Sequence, residues 1–250
     1  MRSTEVADRP FPDGKFPGRD IGDRQRSLPK TSISSVARTN LVYPKMPGSG
    51  DAPLGTCIAF EKYDGTNIHW VWDATLGWYA FGTRRDRFDL DDQGIAAFNS
   101  AHPGLEECSQ VFLGAFAEQL SSVLSGLEYY GSNELIVFTE FLGDHSFAGK
   151  HLSTDTKRLV IIDVQTANGF LSPAQFVQDL VNLPIARTVY RGKLTGKFAD
   201  DVREGRFGVA EGVVCKGESD GKVWMAKIKT NAYMQRLKEA FADKWEDYWE

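Results

Sequence analysis

Ionisable residues stand at several positions of this sequence where the surrounding pattern calls for apolar ones. In a strand every second side chain shares a face. Over residues 56–62 that period groups Lys62 with Ile58 and Phe60, and over 134–141 it groups Glu140 with Ile136 and Phe138. Over 211–216 it groups Glu211 with Val213 and Cys215, and over 222–229 it groups Lys227 and Lys229 with Met225. An unpaired buried charge costs several kcal/mol, comparable to the net stability of a domain. These groups should therefore converge on one another, on a ligand or on a metal ion, and one charged cleft would satisfy them all. Each taken singly equally suits a strand end that reaches water.

The elements that must carry these residues can be read from periodicity and turn signals. Short β-rich runs predict strands at 56–62, 67–72 and 78–84, the last two joined through Gly77 as a meander. Val111, Phe112, Ala115, Phe116, Leu120, Val123, Leu124 and Leu127 recur at helical spacing and predict one helix over 109–127 with a single buried face. Strands follow at 134–141 and 158–164, then a helix opened by Ser172 and Pro173, then a strand pair at 211–216 and 222–229. A closing helix carries the stripe Tyr233, Leu237, Phe241, Trp245 and Trp249, heavy enough to dock as core and better suited to that than to stacking on bases.

Length and composition bound the rest. The 250 residues are 42% hydrophobic, enough to bury one sizeable core. Residues 1–35 hold Pro10, Pro12, Pro17 and Pro29 among many charges and predict a flexible or loosely docked segment; 36–229 is the main domain and 230–250 a C-terminal helix. A net charge of −5 excludes the strongly basic footprint of a protein that coats nucleic acid, so any such contact is local. The three cysteines, Cys57, Cys108 and Cys215, match neither a disulfide framework nor a zinc cluster. With no signal region and no run long enough to cross a bilayer, the expectation is a soluble cytoplasmic protein without a membrane partner.

Four segments bear a resemblance. Glu61-Lys62-Tyr63-Asp64-Gly65-Thr66-Asn67 resembles motif I of the covalent nucleotidyltransferases, which comprise ATP-dependent DNA ligases, RNA ligases and mRNA capping enzymes. Thr139-Glu140-Phe141-Leu142-Gly143 is similar to motif III, Glu211-Gly212-Val213-Val214 to motif IV, and Lys227-Ile228-Lys229 to motif V. A lone Lys-x-Asp-Gly is weak, but all four segments stand in the family's order on predicted strands or strand ends. The Thr66-Asn67 extension and the run from Phe141 to His151 look most like RNA ligases, in particular the nick-sealing branch. Only about one helix follows motif V, unlike the oligonucleotide-binding domain of DNA ligases and capping enzymes.

The resemblance implies an α+β nucleotidyltransferase fold, an ATP-grasp-like ligase adenylation domain whose antiparallel sheets form a nucleotide cleft flanked by helices. It implies an ATP-dependent RNA ligase that joins 5′-phosphate and 3′-hydroxyl RNA ends, nicked or single-stranded, through a lysyl-AMP on Lys62. Lys227 and Lys229 would assist by opposing a further positive charge and by stabilising phosphate. Glu61, Asp64, Gly65, Asn67 and Glu140 would bind the nucleotide, Glu140 at the ribose, and Glu211 would hold Mg²⁺ or Mn²⁺. Arg84, ahead of its neighbour Arg85, would reach the nucleotide or the nucleic-acid end, although either suits a solvated strand end. One departure stands out: where ligases often place an aromatic before Asp163, this chain has Leu159, Val160, Ile161 and Ile162, so the base would lie between aliphatic groups with Val213 on its other face.

Among other residues, His69, His145 and His151 lack metal-ligand spacing and read as hydrogen-bonding or surface groups. Lys150, His151, Lys157 and Arg158 suit a phosphate backbone or a solvated basic loop alike. Rivals to RNA ligation are a DNA ligase, a capping-type transferase, an adenylylation subunit that needs a protein partner for end recognition, and a non-catalytic nucleotide or nucleic-acid-binding module.

Overall fold

Two antiparallel sheets dominate the computed structural model, which describes residues 42–126 and 134–248, with side chains to 246. The strands are β1 (Thr56–Lys62), β2 (Thr66–Asp73), β3 (Gly77–Gly82), β4 (Phe88–Asp89), β5 (Glu134–Leu142), β6 (Arg158–Thr166), β7 (Gly169–Phe170), β8 (Thr188–Lys193), β9 (Gly212–Ser219) and β10 (Lys222–Lys229). The helices are α1 (Asp92–Ala101), α2 (Cys108–Ala115), α3 (Ala117–Ser125), α4 (Pro173–Asp179), α5 (Gly196–Arg203) and α6 (Asn231–Phe241). One sheet has the order β10-β9-β1-β8 and the other β4-β3-β2-β5-β6-β7. The expected α+β architecture with antiparallel sheets is therefore present. These elements fall within one compact unit, Ala37–Glu250; the expected N-terminal segment 1–35 lies outside the described residues.

Packing on the outer faces holds the sheets in place. On the six-stranded sheet, Trp70 of β2 stacks on Phe112 of α2 with centroids 3.7 Å apart, and Phe81 of β3 meets Phe98 of α1 at 4.7 Å. All four are fully buried, each stabilising the fold by about 1.5–3 kcal/mol. The outer face of the four-stranded sheet packs Val213, Cys215 and Ile228 against Phe198, Ala199 and Val202 of α5. Ser172 caps α4 by accepting from the Gln175 amide at 3.2 Å, with Pro173 in the first turn, as expected.

Two helices differ from expectation. The predicted helix 109–127 is broken into α2 and α3 at Phe116, whose φ of −155° and ψ of 2° leave the helical region. Its ring is buried edge-on against Phe112, so both halves keep one apolar face and the spacing hides the break. Leu127 lies outside the described residues. The closing helix ends at Phe241, where Ala242 turns to a positive φ of 43° and a 3-10 segment, Ala242–Tyr248, follows. Tyr233 and Leu237 are buried, whereas Phe241 and Trp245 are only partly so; Trp249 is outside the described residues. No helix among the described residues is long and apolar enough to cross a membrane.

Candidate active site

Strand register brings the charged residues together. On the four-stranded sheet Lys62 of β1 lies opposite Gly212 of β9, and Gly212 lies opposite Lys229 of β10. Paired residues share a face, so Lys62, Lys229, Lys227 and its partner Val214 all project to one side, toward the six-stranded sheet. Gly212 must be glycine, because a Cβ there would sit 2.0 Å from the Ile228 carbonyl oxygen. Glu211, one residue earlier, is thereby set between the ends of β1 and β10. From the facing sheet come Asn67 and Glu140, opposite one another in β2 and β5. The turn 63–65 joins the sheets, and Gly65 passes so close to β5 that a Cβ would meet the Phe141 oxygen at 2.3 Å. The cleft between the sheets has a volume of about 570 Å³.

At one end of the cleft the Lys62 ammonium donates to Glu211 Oε1 at 2.8 Å, and Lys229 reaches the same oxygen at 3.2 Å. Oε2 of this buried carboxylate has no hydrogen-bond partner among the described residues. Glu140 accepts from the Gly65 amide at 3.1 Å, while Asp64 accepts from the Ala148 and Gly149 amides at 2.7 and 3.3 Å. Burial pushes the Glu140 carboxyl up to about 7 against the pull of Lys62. Lys227 is brought down to about 8 by burial, with Lys229 and Lys62 adding repulsion. Lys229 is lowered by burial too.

Lys62 itself departs from expectation. Burial, the largest single influence, lowers its pKa, but Glu211, Glu140 and Asp64 together outweigh it and leave the amine above its ordinary value. A lowered pKa was the sequence-based expectation; direct contact with Glu211 reverses the sign.

Two other expected residues lie elsewhere. Val213 is fully buried against α5 and cannot cover a base; Val214, next along β9, lines the cleft opposite Ile162 of β6. Glu211 precedes the strand, which begins at Gly212, so its side chain stands outside the alternation that sets Val213 and Cys215 on the α5 face and Val214 and Lys216 on the cleft face. Glu61 borders the cleft, but its side chain belongs to the far face, where it pairs with Arg187 at 2.8 Å. Asn67 donates to the Thr139 oxygen at 3.4 Å, and Arg84 and Arg85 both line the mouth of the cleft.

Sequence reasoning missed a buried cluster at the inner end. Lys216 of β9 donates at 2.6 Å to both Asp163 and the Ile162 oxygen, and the Tyr43 hydroxyl donates to the same Asp163. Counting alternation from Gly212 would have found Lys216. His145 pairs with the buried Asp155 at 2.7 Å, and His151 bridges the hydroxyls of Thr66 and Ser146 at 2.9 and 3.2 Å. His69 is buried and held to about 4 by burial and Arg87. No set of three or more His, Cys, Asp or Glu among the described residues forms a metal-holding group.

Comparison with known proteins gives this site a context. No curated protein sequence matches the chain. Among solved structures, a variant of the Naegleria gruberi RNA ligase with AMP and Mn superposes with a TM-score of 0.53 at 13% identity, covering 79% of this chain and 58% of that one. An archaeal ATP-dependent RNA ligase gives 0.51 at 16%, covering 80% and 51%. An Aquifex aeolicus protein assigned as an ATP-dependent DNA ligase gives 0.51 at 18%, covering 82% and 56%. At these identities the likeness shows the fold, that of the ligase nucleotidyltransferase domain, and the chain spans little more than half the length of each of these proteins. The sequence model of the RNA ligase family matches residues 55–229, which run from the first residue before β1 to the last of β10 and hold Lys62, Asp64, Glu140, Glu211, Lys227 and Lys229; the chain belongs to the RNA ligase family.

Proposed function

We propose that this chain is an ATP-dependent RNA ligase that joins a 5′-phosphate to a 3′-hydroxyl through an AMP bound covalently to Lys62. The observation that carries the reading is Lys62 itself: a half-buried amine lining a nucleotide-sized cleft, against Glu211 and on one sheet face with Lys227 and Lys229. Solved proteins with this fold bind AMP or ATP with Mn, which favours ATP and a divalent cation here.

In the first step neutral Nζ of Lys62 attacks the α-phosphorus; the P–N bond forms as the bond to pyrophosphate breaks. Lys227 and Lys229, the former brought down to about 8, hold positive charge beside the phosphates. Glu140 accepts from the ribose hydroxyls, Asn67 adjoins it, and the base lies between Ile162 and Val214 rather than against Val213. Asp64 and Gly65 set the turn that carries Lys62. The unpartnered Oε2 of Glu211 fits one ligand of a hard cation such as Mg²⁺ or Mn²⁺, the remaining ligands being phosphate and water. Bound there, the cation would supply positive charge that opposes protonation of Lys62 and neutralises phosphate. AMP then passes to the RNA 5′-phosphate near Arg84, and the 3′-hydroxyl displaces it. RNA repair is the corresponding role, and the three free, buried cysteines suit a reducing cytoplasm.

Mass spectrometry after incubation with ATP and Mg²⁺ should find one added AMP on Lys62 and none on a Lys62→Ala protein. Label taken up equally by that variant would remove the nucleophile and favour a non-catalytic nucleotide-binding module. Uptake from GTP in place of ATP would favour a capping-type transferase, and sealing of nicked DNA over nicked RNA a DNA ligase. Adenylylation without sealing of any end would make this chain an adenylylation subunit that relies on a partner protein.

A further inference from the structure

The chain between β5 and β6 carries a strained feature that the chemistry above does not use. Ala148 and Gly149 both adopt left-handed backbone, with φ of 52° and 72°. A side chain disfavours that region, so Ala148 is held there by its surroundings. Successive amides so turned form a concave anion cradle, and here the occupant is Asp64, two residues after Lys62. The cradle therefore grips the turn that delivers the nucleophile.

What keeps the cradle in shape is the preceding residue. The Phe147 ring has the Arg236 guanidinium 3.8 Å from its centroid, Phe241 stacked at 5.8 Å and 26°, and Tyr233 edge-on at 5.8 Å. All three partners belong to α6. That helix is anchored beside the catalytic carboxylate: the Thr230 amide donates to the Glu211 oxygen at 2.9 Å, and the Thr230 hydroxyl donates to the Ala210 oxygen at 3.1 Å. Lys229, just before it, stands 5.0 Å from the Tyr233 ring. One end of α6 is thus fixed to motif IV and its side to Phe147.

We propose that Phe147 is a positioning residue: its seat on α6 keeps the Ala148–Gly149 cradle closed on Asp64 and so holds Lys62 in register for attack. Phe147 does not line the cleft; Asp64 is held both by the two amides and by the Tyr233 hydroxyl of α6, and Phe147 acts through the amides. The activity arm rests on the ligase reading above; the structural arm does not.

Amide hydrogen exchange on the full chain reads the cradle directly. Phe147→Ala should speed exchange at Ala148 and Gly149 by at least about tenfold, while the central amides of β5 stay unchanged. Self-adenylylation should lose at least about tenfold in kcat with KM for ATP within about twofold, because the nucleophile is misplaced and the nucleotide pocket is not. Phe147→Tyr should restore both. Arg236→Gln, at an exposed residue, should give a smaller change in the same direction. Unchanged exchange at the two amides in both Phe147→Ala and Arg236→Gln would overturn the proposal. So would faster exchange with full kcat. Should the wild-type chain take up no AMP at all, the ligase reading fails while the exchange result still decides whether Phe147 holds the cradle.

Discussion

Lys62 and Lys227 lie on one sheet face with their proton affinities displaced in opposite directions, because three carboxylates together outweigh burial at Lys62: Asp64, Glu140 and, first among them, Glu211. Its carboxylate touches Lys62 and Lys229, while Lys227, farther along β10, feels mainly burial and its fellow cations. On the proposed reading, Lys62 stays protonated in the nucleotide-free chain until the charge around Glu211 changes. Glu140 gives a second, measurable consequence. Its pKa of about 7 means that it is neutral in acid and ionised above neutrality, and only the ionised form accepts from both ribose hydroxyls. KM for ATP should fall as pH rises through about 7, and Glu140→Gln should lack that component; parallel pH profiles of the two proteins check it. Adjacent valines give a sharper contrast. Val213→Ala empties part of a packed core and should lower unfolding free energy by about 1.5–2 kcal/mol with KM for ATP unchanged. Val214→Ala, at a buried side chain that borders the cleft, should cost less stability than Val213→Ala and raise KM several-fold. The reverse pairing, in chemical denaturation and steady-state kinetics, would return the base to Val213.

At the scale of elements, the cleft depends on where strands begin and how closely they approach. Gly212 joins β9 to both neighbours at the point where Lys62 and Lys229 emerge. Gly212→Ala should cost about 1–3 kcal/mol and lower adenylylation more than the stability loss alone explains, since the Ile228 oxygen and Lys229 backbone must move; thermal unfolding read beside label uptake tests this. The same strand shows why some of the site was legible in the sequence and some was not. Alternation runs regularly to the ends of β1 and β10, so the facing of Lys62, Lys227 and Lys229 could be read directly. It does not run through Glu211, which precedes its strand, so Val213 was taken for Val214 and Lys216 was overlooked. Apolar spacing likewise cannot register the single non-helical residue at Phe116. The edge strand β8 and helix α5 carry too many polar residues for periodicity to announce them; they show only once β1 has a partner to pair with.

For the whole molecule, an acidic chain that takes a polyanion as substrate, as proposed, has to do so through a small number of well-placed cations. The net charge is −5, and the ionisable groups deep in the cleft are committed to one another. The outward basic residues near the cleft include Lys45, Arg84 and Arg85, which line it, with Arg158 over the Tyr63 ring at 5.7 Å and Lys150 on the loop before β6. Each phosphate neutralised on a duplex contributes about −0.9 to the slope of log K against log salt. Five such residues predict a slope of roughly −4 to −5 for nicked duplex RNA. Arg84→Gln and Arg158→Gln should each make it shallower by about one unit, which fluorescence anisotropy across a salt series resolves. A slope steeper than roughly −7 would demand a second basic surface and place end recognition outside this cleft. A slope near zero would mean that the chain alone does not grip the strand, and that the grip comes from a partner.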